Sequence, residues 1–157
     1  QRIPFNQVLG IELDELSSER VTMHLPMKPE LIGNFVHGIL HGGVISSLLD
    51  VCGGAMALIG AFANHQHLPP AERMSKLSKL GTIDLRIDYM RPAEPGKDVI
   101  AEAECVRAHG LIAFVRATAH DGDESDPVAT AQAAFMVTRP SKEAAERVKN
   151  IIAEGKL

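Results

Sequence analysis

A chain of 157 residues, 45% hydrophobic and with a formal net charge of −4, fits one domain with one peripheral extension and can bury a full core. No stretch clusters Lys and Arg with aromatics, and Trp is absent, which excludes a nucleic-acid footprint. Cys52 and Cys105 lie far apart in apolar settings, which argues against a disulfide framework and fits a reducing, cytoplasmic compartment.

The opening "QRIPFNQVLG" shows no basic region followed by an apolar run, so no signal peptide is expected; it lacks Met, so the true start is expected upstream. Residues 8–17 read as a first strand. In "ERVTMHL" (19–25), Val21, Met23 and Leu25 alternate with polar neighbours, the period of a second strand. "PMKPELIGN" reads as a loop. "HGGVISSLLDVCGGAMALIGAF" (41–62) reads as a long apolar helix starting at Gly42–Gly43, with Asp50 its only charged residue. Residues 64–81 form a polar insertion whose double proline opens a short helix over about 71–79, stopped at Gly81. Four strands follow, over 82–90, 98–107, 111–120 and 128–139, separated by "EPG", "AHG" and "DGDESDP". In the first of these, Ile83, Leu85, Ile87 and Tyr89 share one face and Thr82, Asp84, Arg86 and Asp88 the other. The short connections predict a meander of antiparallel neighbours. Residues 141–157 read as a charged, solvated helix with Ser141 as N-cap and Gly155 as C-cap, leaving 1–140 as the domain.

The order is strands, one long apolar helix, then four strands, an α+β pattern. A helix apolar on nearly all sides must be covered on nearly all sides. A single antiparallel sheet curled around it supplies that cover, the hotdog architecture. Val44 to Ala63 is also long enough to span a bilayer. Ser46, Ser47, Asp50 and several glycines interrupt it, however, and no Lys or Arg belt flanks it. A mid-membrane Asp costs roughly 2.5–3.5 kcal/mol, so the segment is read as a core helix and no membrane partner is expected.

The N-terminus of a helix carries unpaired N–H groups and partial positive charge. Glycines there let a ligand approach the backbone, so Gly42 or Gly43 can serve as an oxyanion donor to a thioester or ester carbonyl; a tight loop-to-helix turn would need the same residues. A carboxylate in an apolar run needs a partner or a task. Asp50 has either a structural bond, for example to Ser46 one turn earlier, or a catalytic role. Eight positions separate Gly42 from Asp50, about 12 Å along the axis, too far for both to act at one point. A second helix running antiparallel in a twofold dimer brings its own Asp50 there, with Gly53 and Gly54 allowing close approach. Two composite sites per dimer follow.

"HGGVISSLLD" resembles the motif of PaaI-type hotdog thioesterases, which place an Asp seven residues after the second Gly of HGG. "GTIDLRIDYMRP" (81–92), "AECVRAHGLIAFVRATA" and "ATAQAAFMV" extend the likeness over roughly residues 5–139, and "IGNFVHGILHGGV" with "AERMSKLSKLGTIDLRIDYMRP" is most similar to the YigI-like subgroup. The resemblance implies an acyl-CoA thioesterase acting on medium or long chains without a cofactor, built as a homodimer and a dimer of dimers. By the same resemblance Asp50 is the nucleophile or general base, Gly42 polarises the thioester carbonyl, and His41 shapes the turn beside it. Asn34 matches a polar residue that holds water or the thioester. Arg91 matches an arginine that reaches the coenzyme A phosphates, and the turn with Arg107, His109 and Gly110 matches a loop near the nucleotide. A Ser or Thr four residues after the acid in some relatives is Gly54 here. The low aromatic content around Asp50 favours an aliphatic acyl group.

Other chemistries fare less well on the same residues. The pairs His37/His41 and His65/His67 lack a third ligand for a metal. Cys52 has no cationic neighbour and reads as a buried inert thiol, and Ser46 and Ser47 lack a nucleophile-elbow pattern. Two alternatives stay open: a hotdog dehydratase or hydratase using His41 with the acid, and a non-catalytic acyl-CoA sensor.

Overall fold

The computed structural model describes residues 3–64, 69, 79–138, 143, 146 and 150. It begins with a short helix, α1 (Pro4–Leu9), where a strand was expected from residue 8. Proline at its start and Gly10 in the left-handed region (φ 78°) after its end bracket it, the asymmetry that favours a helix over an extended segment. Strands β1 (Glu12–Leu16) and β2 (Val21–Leu25) follow. The expected loop after β2 contains a 3₁₀ turn (Pro29–Leu31) and a small hairpin of β3 (Ile32–Asn34) and β4 (Ile39–Leu40). The long helix α2 spans Gly42–Ala63. Strands β5 (Lys79–Tyr89), β6 (Val99–His109), β7 (Ile112–His120) and β8 (Ala129–Thr138) complete the fold. The inserted helix expected over 71–79 lies outside the described residues except at Lys79, which opens β5. Of the expected C-terminal helix only Glu143, Glu146 and Asn150 are described, as helical and exposed.

Six strands form one antiparallel sheet in the order β1-β2-β6-β7-β8-β5, packed against α2. The meander therefore holds for β6-β7-β8 but not for β5, which pairs with β8 at the far edge while β6 joins β2. The distance from β5 to β6 is about three strand spacings, or ~14 Å, and the 90–98 connection is long enough to cross it. Met90 and Arg91 begin that crossing by donating their N–H groups to Val128 O.

The inner face of the sheet is unusually fine-grained. Ala101, Ala103, Ala113, Ala117, Ala119, Ala131 and Ala133 are all buried there, so the helix can lie close to the strands. The large exception is Phe135, 1% exposed, and the helix accommodates it with Gly53 and Gly54. A β-carbon added at Gly53 would meet the Phe135 ring at 3.3 Å, and one at Gly54 would meet Leu80 at 3.2 Å. Both glycines are buried within their own chain, and Gly54 also lines the open cleft beside Asp50. Beside them a stripe of α2, through Ser47, Val51, Ala55, Leu58 and Phe62, is only half-covered by the sheet. This helix is apolar and long enough to cross a bilayer, but half of its most hydropathic window is buried inside the fold, as expected of a core helix.

One irregularity decides the site. The register of β5 against β8 shifts between Thr82 and Asp84, a β-bulge that reverses the in–out alternation. Leu85 and Ile87 pack on the core as expected, while Ile83 is 51% exposed. The face assignment at Ile83 is thereby corrected, and Thr82 turns toward the helix.

Candidate active site

Asp50 sits midway along α2, half-buried, on the stripe the sheet leaves open. Its Oδ1 accepts a hydrogen bond from Thr82 Oγ1 at 2.8 Å. Ser46, the local partner considered for it, is engaged elsewhere: Ser46 and Ser47 both donate to Gly43 O, at 2.9 and 2.8 Å. The acid lines an apolar cleft of ≈ 420 Å³ together with Val51, Ala55 and Leu58 of α2, Leu80 of β5 and Phe5 at the N-terminus. A carboxylate with one hydroxyl partner at the rim of an apolar cleft keeps lone pairs for a proton or for attack on carbon.

The first turn of α2 is the second element. His41 is the N-cap, and its Nδ1 accepts the Gly43 N–H at 2.8 Å, so the imidazole carries its proton on Nε2. The β3 backbone crosses His41 so closely that a β-carbon at Gly33 would lie 2.7 Å from His41 Cα; only glycine fits there. With the Gly43 N–H taken, Gly42 is the donor left facing outward, and among the described residues its N–H has no acceptor. Gly42 lines a separate cleft of ≈ 410 Å³ with Ile39, Ile45, Tyr89 and Arg91. The Tyr89 hydroxyl donates to Gly42 O at 2.7 Å. A His41 lone pair committed to the cap is not free to act as a base, which removes the observation a dehydratase would need.

The remaining expected residues divide between the two ends of the helix. Asn34 Oδ1 accepts from the Val36 and His37 N–H groups at 3.1 and 3.3 Å and so shapes the β3–β4 turn. Arg91 stands at the Gly42 end, but its guanidinium faces inward. Nη1 donates to Asp121 Oδ2 (2.9 Å) and Pro92 O, Nη2 to Asp121 Oδ1 (2.6 Å) and Asp126 O, and Nε lies 2.8 Å from Asp126 Oδ2. In this arrangement the Arg91 donors brace the 92–95 and 121–126 loops. Asp121 is buried and also accepts the Glu94 N–H at 2.8 Å. The Arg91 hydrogen bonds hold its carboxyl well below the usual carboxylate range, against the cost of burial. Arg107, His109 and Gly110 (φ 59°) are exposed at the β6–β7 turn. They lie at the opposite end of α2, whose capping residue Asn64 donates to Ala108 O. Within one chain this turn and Gly42 are therefore separated by the helix length, about 33 Å.

Two groups sequence reasoning did not single out touch the site's main elements, Thr82 and Tyr89. The bulge hid Thr82 by reversing the strand's alternation. Tyr89, the only tyrosine in the chain, was legible as inward-facing but not as a partner of the helix start. Burial, and secondarily Glu102, pushes the Cys52 thiol up to about 12, and Cys52 Sγ donates weakly to Val21 O and Ala101 O, the state of an inert thiol.

The geometry thus presents an acid beside an apolar cleft and, among the described residues, a glycine N–H without an acceptor at a helix start, in an antiparallel sheet packed on one long helix, and the chain is similar to known proteins in sequence and fold. The sequence model of the thioesterase superfamily matches residues 37–128. The medium/long-chain acyl-CoA thioesterase YigI of Escherichia coli K12 is 37% identical over 135 residues, 86% of each chain. The 1,4-dihydroxy-2-naphthoyl-CoA thioesterase 2 of Arabidopsis thaliana is 32% identical over 97 residues, covering 62% of this chain and 52% of its own. Among solved structures, a protein from Shewanella oneidensis related to the thioesterase superfamily superposes with a TM-score of 0.79 at 36% identity, covering 87% of this chain and 88% of its own. A thioesterase family protein from Silicibacter pomeroyi gives 0.71 at 27% identity, over 88% and 92%. With its helix, its sheet order and most of its length matched in this way, the chain belongs to the thioesterase superfamily.

Proposed function

We propose that the protein hydrolyses medium- or long-chain acyl-CoA to the free acid and coenzyme A, at sites shared between two subunits. The observation that carries this reading is Asp50 at the edge of an apolar cleft, held through one oxygen by Thr82. The acid either attacks the thioester carbonyl, releasing the coenzyme A thiolate and leaving an anhydride for water to cleave, or takes a proton from the attacking water. Charge grows on the carbonyl oxygen in both routes, and the Gly42 N–H at a helix N-terminus stabilises it.

Within one chain Gly42 and Asp50 line different clefts, about 12 Å apart along the axis. A twofold partner resolves the separation. The half-covered stripe through Val51, Leu58 and Phe62 supplies a surface for a second copy, and β5 is a sheet edge of eleven residues with no strand beyond it among those described, a surface that invites pairing. With the helices antiparallel, the partner's helix continues beyond Gly42 for roughly 21 Å past its own acid, toward its Arg107–Gly110 turn. The nucleotide then lies between that turn and the Gly42 end of the first subunit, and the acyl chain lies in the Asp50 cleft. Exposed Val106, Leu111 and Phe114 favour further association into a dimer of dimers. Two free thiols, Cys52 and Cys105, suit a reducing cytoplasm.

Hydrolysis rates over acyl-CoA chains of increasing length, on wild type and Asp50→Ala, test the reading. The expected profile peaks at medium or long aliphatic chains, and Asp50→Ala loses about 10³-fold or more with its fold intact. A peak at aryl or short acyl groups contradicts the substrate assignment, and wild-type rates in Asp50→Ala remove the mechanism.

A further inference from the structure

We infer that Tyr89 is a positioning residue that fixes the direction of the Gly42 N–H; this rests on the thioesterase reading of the site. The backbone polar groups at the start of α2 are nearly all occupied: the His41 N–H donates to Leu31 O at 2.9 Å. His41 O accepts from the Val44 N–H at 2.9 Å. Gly43 N–H donates to His41 Nδ1 at 2.8 Å, and Gly43 O accepts from both Ser46 and Ser47. Gly42 O accepts from Tyr89 Oη at 2.7 Å. Of the six polar groups on these three peptides, the Gly42 N–H is the one without a partner among the described residues. Backbone groups left unpaired where every neighbour is paired are rare without a task.

The Tyr89 bond does something the local bonds cannot. A peptide unit is planar, so holding its two polar ends holds the plane. For Gly42–Gly43 the N–H end is held by His41, from within the turn, and the C=O end both by the helix ladder that Gly42 opens and by Tyr89, from β5. Gly42 has no side chain to restrict it, and Tyr89 is the anchor that ties this plane to an element outside the helix. The adjoining plane carries the free N–H; its carbonyl end is held by the Val44 N–H, and its tilt relative to the clamped plane is set through the torsions of Gly42. Oxyanion stabilisation depends on donors already aimed before charge develops. The ring contributes separately, since a β-carbon at Gly42 would touch it at 3.4 Å. Tyr89 is 52% exposed, so its place in the core does not explain the contact. Strand β5 then orients both halves of the chemistry, Asp50 through Thr82 and Gly42 through Tyr89.

Tyr89→Phe isolates the hydroxyl because it keeps the ring. The expected result is a kcat about tenfold lower, with KM and the thermal midpoint unchanged. Affinity for a coenzyme A trifluoromethyl ketone, whose hydrate mimics the oxyanion, falls by the same factor. Affinity for a thioether analogue without a carbonyl stays as in wild type. Unchanged kcat in Tyr89→Phe overturns the inference, as does a rise in KM with weaker thioether binding, which would make Tyr89 a substrate contact. If wild type hydrolyses no acyl-CoA, the site reading fails and the inference with it; an active wild type with an unaltered Tyr89→Phe overturns the inference alone.

Discussion

The first turn of α2 and its midpoint are built on opposite plans. At the first turn, His41, Ser46, Ser47 and Tyr89 occupy the backbone groups around Gly42 until, among the described residues, one N–H remains. At the midpoint Asp50 has, among the described residues, a single hydroxyl partner, and most of its cleft is apolar. The difference fits the chemistry proposed for each. A donor that stabilises charge must be aimed before the charge appears, so it is worth immobilising its frame. An acid that must bond to carbon or to water needs lone pairs left free and one anchor to orient them.

Two substitutions separate these plans. The largest effect is expected from Gly42→Pro. Position 42 is the first of the helix, where proline is tolerated, and His41 already has the extended backbone (φ −68°, ψ 131°) that proline requires before it. The change removes the N–H and keeps the helix, so kcat should fall about 10²–10³-fold while helical content by circular dichroism is retained. A small loss in kcat would show that the frozen turn serves stability rather than catalysis. Thr82→Val keeps the shape and removes the anchor of Asp50; kcat should fall about tenfold, with a much smaller effect on stability. A kcat equal to wild type would mean the acid is oriented by something other than β5.

The smallest effect on activity is expected from Asp121→Asn, which loosens the loops braced by Arg91 without touching either plan. Its consequence is in stability against pH. The folded-state pKa of Asp121 is lowered from 3.8, so its contribution is complete above that value and is lost as pH falls through the lower folded value. The variant should therefore be less stable than wild type at neutral pH, and the gap in urea midpoint should close only below about pH 3.8. A gap that is constant down to lower pH would contradict the ion-pair account.

Much of this was legible in the sequence, and the failures have physical causes. The apolar run with one acid gave the helix, and the HGG start gave its N-terminus, because those patterns report burial and capping directly. The strands around α2 were legible by alternation. The sheet order was not, because β5 and β6 are adjacent in the chain but belong beside β8 and β2, and strand order depends on what the helix needs covered. Helix α1 was not read as a helix, and its last two residues, Val8 and Leu9, were read as strand, because six residues bracketed by Pro4 and Gly10 are too few for a helical period to show. Thr82 was invisible because a single bulged residue reverses parity, and alternation read from Leu85 onward places it on the wrong face. Arg91 matched by position in its motif, yet its partners, Asp121 and Asp126, lie on a loop whose approach only the fold reveals.

The central claim is that each site takes Gly42 from one chain and the acid from another. The direct measurement is subunit complementation: Asp50→Ala and Gly42→Pro proteins are unfolded together, refolded as a mixture and assayed. A shared site leaves one intact copy in each mixed dimer, so activity should recover to about a quarter of wild type from two nearly inactive parents. Mixed dimers that form, by mass spectrometry, yet show no recovery would place both groups of the working site in a single chain and contradict the account.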